Sequence, residues 1–103
     1  MRRKPAKKGL DEILDILRHE LPDLSRRYRV TYLGVFGSYV HGGQGKGSDL
    51  DVLVEFSEAP SFFGFLDLEE HLGKLLGLKI DLVMKSALRP HVGKQILEEV
   101  VPV

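Results

Sequence analysis

The sequence predicts an α/β or α+β domain, with three strands in a small sheet covered by about four helices. Three observations carry that prediction. Apolar residues recur at helical intervals near the start, middle and end of the chain. Three short runs, 30–36, 50–56 and 79–84, are rich in β-branched and aliphatic residues. Gly, Pro or Ser marks several of the joints between these segments. With 103 residues the chain has the length of one domain. A chain of that size can bury about two thirds of the surface its unfolded form exposes.

The elements follow in order. Leu10, Ile13, Leu14, Leu17, Leu21, Leu24 and Tyr28 stand at helical spacing with charges between them. Pro22 has no N–H to give the preceding turn, so the segment is expected to divide into a helix near 10–20 and a shorter one near 22–28. "VTYLGVF", 30–36, reads as a strand. "GSYVHGGQGKGS" has room for one short helical turn, and its five glycines then favour a loop. "LDVLVEF", 50–56, is almost continuously apolar, as a central strand covered on both faces would be. Pro60 and Ser61 open the next helix, with Phe62, Phe65, Leu66, Leu72, Leu75 and Leu76 on its apolar face and Gly77 as its stop. "KIDLVM", 79–84, is the third strand. Pro90 starts a last helix whose buried face is expected from Ile96, Leu97 and Val100. The final "VVPV" is either a packed tail or a partner contact, and Pro102 stops any further helix.

Charge divides the chain unevenly. Arg2, Arg3, Lys4, Lys7 and Lys8 are five of the fifteen basic residues, which leaves 9–103 with ten basic against fifteen acidic groups. Residues 1–9 read as a flexible basic arm before a domain spanning 10–103. An acidic body lacks the positive surface of a general nucleic-acid binder, so nucleic acid is not the expected partner. The absence of cysteine excludes disulfides and thiolate metal sites and suits a reducing cytoplasm. No apolar run approaches the roughly 20 residues that cross a bilayer, and the basic N-terminus is not followed by a signal-peptide core. No membrane association is expected.

The chemistry concentrates in "FGSYVHGGQGKGSDLDVLV", 36–54. Asp49 and Asp51 are two apart at the start of a strand, so both side chains point to one face with Cα atoms roughly 6.5–7 Å apart. Carboxylates so spaced reach one hard cation, or two cations about 3.5–4 Å apart. Asp81 interrupts the third strand, where an acid among apolar neighbours is costly unless paired, solvated or metal-bound. If the second and third strands are neighbours, Asp81 approaches the face of Asp49 and Asp51, and the three suit Mg²⁺ and phosphate. Taken singly, each also fits an ordinary turn or exposed strand position. Gly37 and Ser38 end the first strand, where a small residue admits phosphate to the backbone and a hydroxyl can donate to it. Two familiar phosphate motifs fail. Lys46 is followed by Gly47 and not by Ser or Thr, and "GGQGKG" opens no long helix. His19, His71 and His91 have no metal-ligand spacing to one another and read as ordinary surface or helix residues.

Phe36-Gly37-Ser38, ten residues, Asp49-Leu50-Asp51-Val52 and a later Asp81 in "IDLV" resemble the nucleotidyltransferase superfamily of DNA polymerase beta. Within it, the sequence is most similar to the minimal nucleotidyltransferases, from the first helix to the C-terminus and most specifically over 33–56. That resemblance implies the nucleotidyltransferase fold, a small mixed three-stranded sheet flanked by helices, and a two-metal Mg²⁺-dependent transfer. Gly37 and Ser38, with Ser48 and His41, would hold the triphosphate. Asp49, Asp51 and Asp81 would carry the metal, and Asp81 would also help deprotonate an acceptor hydroxyl. The expected reaction moves AMP from ATP to a hydroxyl. Relatives of this kind pair with helical HEPN proteins as antitoxin and toxin, so a tyrosine on such a partner is the expected acceptor; a homo-oligomer is left open. One departure is His41, where many minimal nucleotidyltransferases carry arginine in a Gly-Ser-Tyr-Ala-Arg-Gly-like run. Histidine cannot make arginine's forked phosphate contacts, so a second reading is an antitoxin that neutralises its partner by binding alone.

Overall fold

The protein is described by a computed structural model over residues 9–42 and 49–103. Helix α1 spans Leu10–Tyr28, strand β1 Val30–Phe36, helix α2 Ser38–His41, strand β2 Leu50–Phe56 and helix α3 Phe62–Leu76. Strand β3 covers Ile80–Met84 and leads through a 3-10 turn, Lys85–Ala87, to helix α4, Pro90–Glu99, and strand β4, Val101–Pro102. The sheet has four strands in the order β3-β2-β1-β4. β1 pairs antiparallel with β2 and with β4, and β2 pairs parallel with β3. The sheet is therefore mixed, and α3 is the connection that parallel strands require.

β2 is central, as its apolar run implied. Leu50, Val52 and Val54 are fully buried on the face that packs with Ile13, Leu17 and Leu24 of α1 and Leu68, Leu72 and Leu76 of α3. Burying each leucine stabilises the fold by about 1.5–3 kcal/mol. Ser61 caps α3 by accepting from the Gly64 N–H at 3.0 Å, and Gly77 ends it in the left-handed conformation, φ 69°. At the β3 edge, the Leu82 N–H donates to the Glu69 carboxylate of α3 at 3.1 Å.

Four expectations need correction. α1 runs unbroken through Pro22. The missing bond to the Arg18 carbonyl and the ring's clash with it together cost about 3 kcal/mol at most sites, but Leu17 and Leu24 are fully buried on either side of Pro22 and hold both halves to one core. The sheet gains a fourth strand from the "VVPV" tail, whose Val101 pairs with Val35 and whose Val103 N–H donates to the Leu33 carbonyl at 2.9 Å. Phe62 and Leu66, expected on the apolar face of α3, are exposed, because the stripe that meets the core runs through Phe65, Leu68, Leu72 and Leu76 and leaves them to its side. Leu97 is likewise exposed, and Ile96 and Val100 are only half-buried; the buried residue of α4 is Gly93, which packs on Leu88.

Because Pro22 is exposed and only its missing bond and ring clash oppose the helix, Pro22→Ala is expected to stabilise the protein by roughly 1–3 kcal/mol. Urea unfolding would show this as a higher midpoint at constant slope; an unchanged or lower midpoint would refute it.

Candidate active site

The alternation of β2 decides what the open side of the sheet carries. With Leu50, Val52 and Val54 turned to the helices, Asp51, Leu53 and Glu55 face the other way, and Asp49 shares their parity one step before the strand. Parallel pairing sets Asp81 directly in register with Asp51. Asp81 lies between buried Ile80 and Leu82, so it too projects from the open face. The sheet thus brings the three predicted carboxylates to one surface, Asp49 and Asp51 half-buried and Asp81 exposed. Exposure removes the desolvation cost that an acid in β3 would otherwise carry.

On the other side of β2, β1 places Phe36 opposite Asp51, so Gly37 arrives beside the same carboxylate. Gly37 has φ 82° and ψ −150°, a conformation open to glycine alone, and a Cβ there would collide with Asp51 Oδ2. Its carbonyl accepts from the N–H groups of Val40 and His41, which closes α2, and Gly42 ends that turn at φ 77°. Ser38 is the first residue of α2 and half-buried. Ser48 lies outside the described residues, as does the basic arm over 1–8.

Asp51 is the electrostatic centre. Burial pushes its carboxyl up to about 6 from 3.8; the charge of Asp81 and a hydrogen bond with it add to the rise, followed by Asp49 and Glu99. An all-oxygen donor set in which carboxylates raise one another fits a hard divalent cation such as Mg²⁺, which relieves that repulsion. Among the described residues, one trio of metal-ligating side chains has its ligand atoms all within 4.8 Å, and it is a different one: Glu20 and Asp23 of α1 with His71 of α3. Asp23 is there already bonded to Arg26 at 3.0 Å and Arg27 at 3.3 Å. Asp51 and Asp81 are hydrogen-bonded to each other, but the ligand atoms of Asp49, Asp51 and Asp81 do not all fall within 4.8 Å of one another.

One residue at the site went unseen in the sequence. Glu99, the last residue of α4, accepts from the Gly37 N–H at 3.3 Å and from the His41 ring at 2.5 Å. The His41 ring is thus engaged by α4. The signal that could have found Glu99 is the β1–β4 register. Gly34 opposes Pro102 and Val35 opposes Val101, and carrying that pairing two residues on sets Gly37 against Glu99.

The Asp51 shift gives the protein a pH signature. Its carboxyl keeps a proton up to about pH 6 in the fold, against 3.8 when unperturbed. The folded state therefore binds more protons between those values and loses stability as pH rises through them. Asp51→Asn removes that loss. In the presence of chelator its melting temperature is expected to exceed the parent's by roughly 4 °C above pH 7, with the gap closing below about pH 4. A gap independent of pH in thermal melts would refute the assignment.

Comparison with known proteins shows the family. The sequence model of the nucleotidyltransferase domain family matches residues 10–103. Protein adenylyltransferase MntA of Thermococcus cleftensis is 50% identical over 92 residues, which cover 89% of this chain and 93% of that protein. A solved chain assigned provisionally as a minimal nucleotidyltransferase superposes with a TM-score of 0.77 at 32% identity, covering 93% of this chain and 97% of that one. Two toxin–antitoxin complexes share the fold. One, with AMP-PNP, has a TM-score of 0.66 at 23% identity and covers 89% of this chain and 69% of that one. The other, a tri-AMPylated Shewanella oneidensis HEPN toxin with its MNT antitoxin, has a TM-score of 0.57 at 20% identity and covers 89% and 66%. A sheet that gathers three aspartates beside a Gly-Ser turn, on a chain half identical to an adenylyltransferase, places this protein in the nucleotidyltransferase domain family as an enzyme of the minimal nucleotidyltransferase type.

Proposed function

We propose that the protein transfers AMP from ATP to a hydroxyl, a tyrosine on a HEPN-type partner, and so serves as the antitoxin of a toxin–antitoxin pair. The observation that carries the reading is the register of Asp51 with Asp81 beside Gly37. Adenine as the base and protein as the acceptor draw on the MntA relative, and the HEPN partner on the AMPylated complex.

Asp49, Asp51 and Asp81 would hold Mg²⁺, which when bound neutralises triphosphate charge and aligns the attacking and leaving oxygens. Gly37 and Ser38 border the triphosphate, with Ser48 assigned to the same role. The acceptor oxygen bonds to the α-phosphorus as the bond from that phosphorus to the bridging oxygen breaks, and pyrophosphate leaves. Asp81, the exposed member of the trio, takes the hydroxyl proton.

A second reading, neutralisation by contact without chemistry, draws on His41, which stands where many of the minimal nucleotidyltransferases that this chain resembles carry arginine, and whose ring is engaged by Glu99. One experiment separates the two. The protein is incubated with Mg²⁺, radiolabelled ATP and the HEPN-type partner, and the partner is examined by mass spectrometry for added AMP. Transfer is expected, reduced on the order of 100-fold or more in Asp49→Asn and Asp51→Asn. Neutralisation of the partner that persists in the double variant without AMP transfer would establish the contact reading. Absence of any Mg²⁺-dependent nucleotide binding by folded protein would end the enzymatic one.

A further inference from the structure

We propose that Glu99 is a positioning residue of the transfer reaction, holding the Gly37–His41 turn against Asp51 from the opposite end of the chain. The proposal rests on the nucleotidyl-transfer reading and assigns a residue that its aspartate and turn motifs do not include.

Four observations converge. One carboxylate grips both ends of α2, through the Gly37 N–H before it and the His41 ring at its close. Gly37 is wedged on its other side by Asp51, so its position is set between two carboxylates. The side chain of Glu99 is itself only 29% exposed. Finally, the residues that follow it are fixed: Val100 packs on Gly34, and Val101 and Pro102 pair with β1. The grip therefore starts from a rigid base and not from a loose helix end.

Electrostatics says why the grip needs two partners. Glu99 adds a third acidic neighbour to Asp81 and Asp49 around Asp51, where a triphosphate is also to bind. An unpartnered carboxylate there would repel the nucleotide. A carboxylate can only accept, so the His41 ring nitrogen must be the donor, and with the Gly37 N–H it occupies the two oxygens of Glu99. His41 thus contributes to nucleotide binding without touching phosphate: it holds the carboxylate in place and satisfies one of its oxygens.

The test combines calorimetric titration of Mg²⁺-ATP with amide NMR of the nucleotide-free protein. Glu99→Ala is expected to weaken Mg²⁺-ATP about tenfold, the loss of one charge-assisted hydrogen bond, and to shift the Gly37 and Ser38 amide resonances. Glu99→Gln should stay within about threefold of the parent, because its amide oxygen still accepts from Gly37. His41→Ala should also lose affinity, and Glu99→Gln in that background should recover it, because the uncompensated charge is then gone. That recovery is a result a purely structural role does not give. Should Glu99→Ala not fold, Glu99→Asp, too short to span both partners, replaces it with an intermediate loss expected. Glu99→Ala or Glu99→Asp binding Mg²⁺-ATP as tightly as the parent, or tighter, would overturn the proposal. Should the parent bind no nucleotide, the transfer reading itself fails. The amides of the turn then decide the positioning role: shifted resonances in the Glu99 variants support it, and unmoved ones overturn it.

Discussion

The parallel pairing of β2 with β3 is the constraint on which the rest of the structure depends. It sets Asp51 beside Asp81 with no freedom to slip, because a shift of one residue would turn Val52 and Leu82 out of the core and bring aspartate into it. The leucines of α1 and α3 that cover the back of the sheet therefore also set the spacing of the carboxylates at its front. The site's geometry is inherited from hydrophobic burial on the opposite face.

That arrangement explains how the front can be locally unfavourable. Repelling carboxylates, a half-buried acid and a glycine in a conformation closed to other residues each work against folding. All of them sit within one strand's width of Val52 and Leu50, which are fully buried. The opposing terms are thus coupled through the same few residues.

Much of this was legible in the chain. Strand β2, the parity of Asp49 and Asp51, the short turn after Gly37 and the cap at Ser61 follow from spacings of two to four residues, where local stereochemistry decides the outcome. What sequence reasoning missed is non-local. Pro22 was read by its local cost, which the continuous stripe from Leu17 to Leu24 outweighs. The apolar residues Phe62, Leu66 and Leu97 mark helices but do not fix which side of each helix meets the core. Glu99 depends on a two-residue strand too short to carry a period, and only the pairing of Val101 with Val35 brings it to Gly37. The grouping of His71 with Glu20 and Asp23 joins two helices that no spacing relates.

The two rims of the sheet share a property that bears on how this protein meets others. At β3 the outward amide of Leu82 is taken by Glu69. At β4, Val103 donates inward to β1, so the residue whose amide would point outward is Pro102, which has none. Neither rim offers a clean ladder of donors for a foreign strand to zip onto. Polymerisation by strand addition is discouraged at both ends, and any lasting association has to be built from side chains on helices and loops.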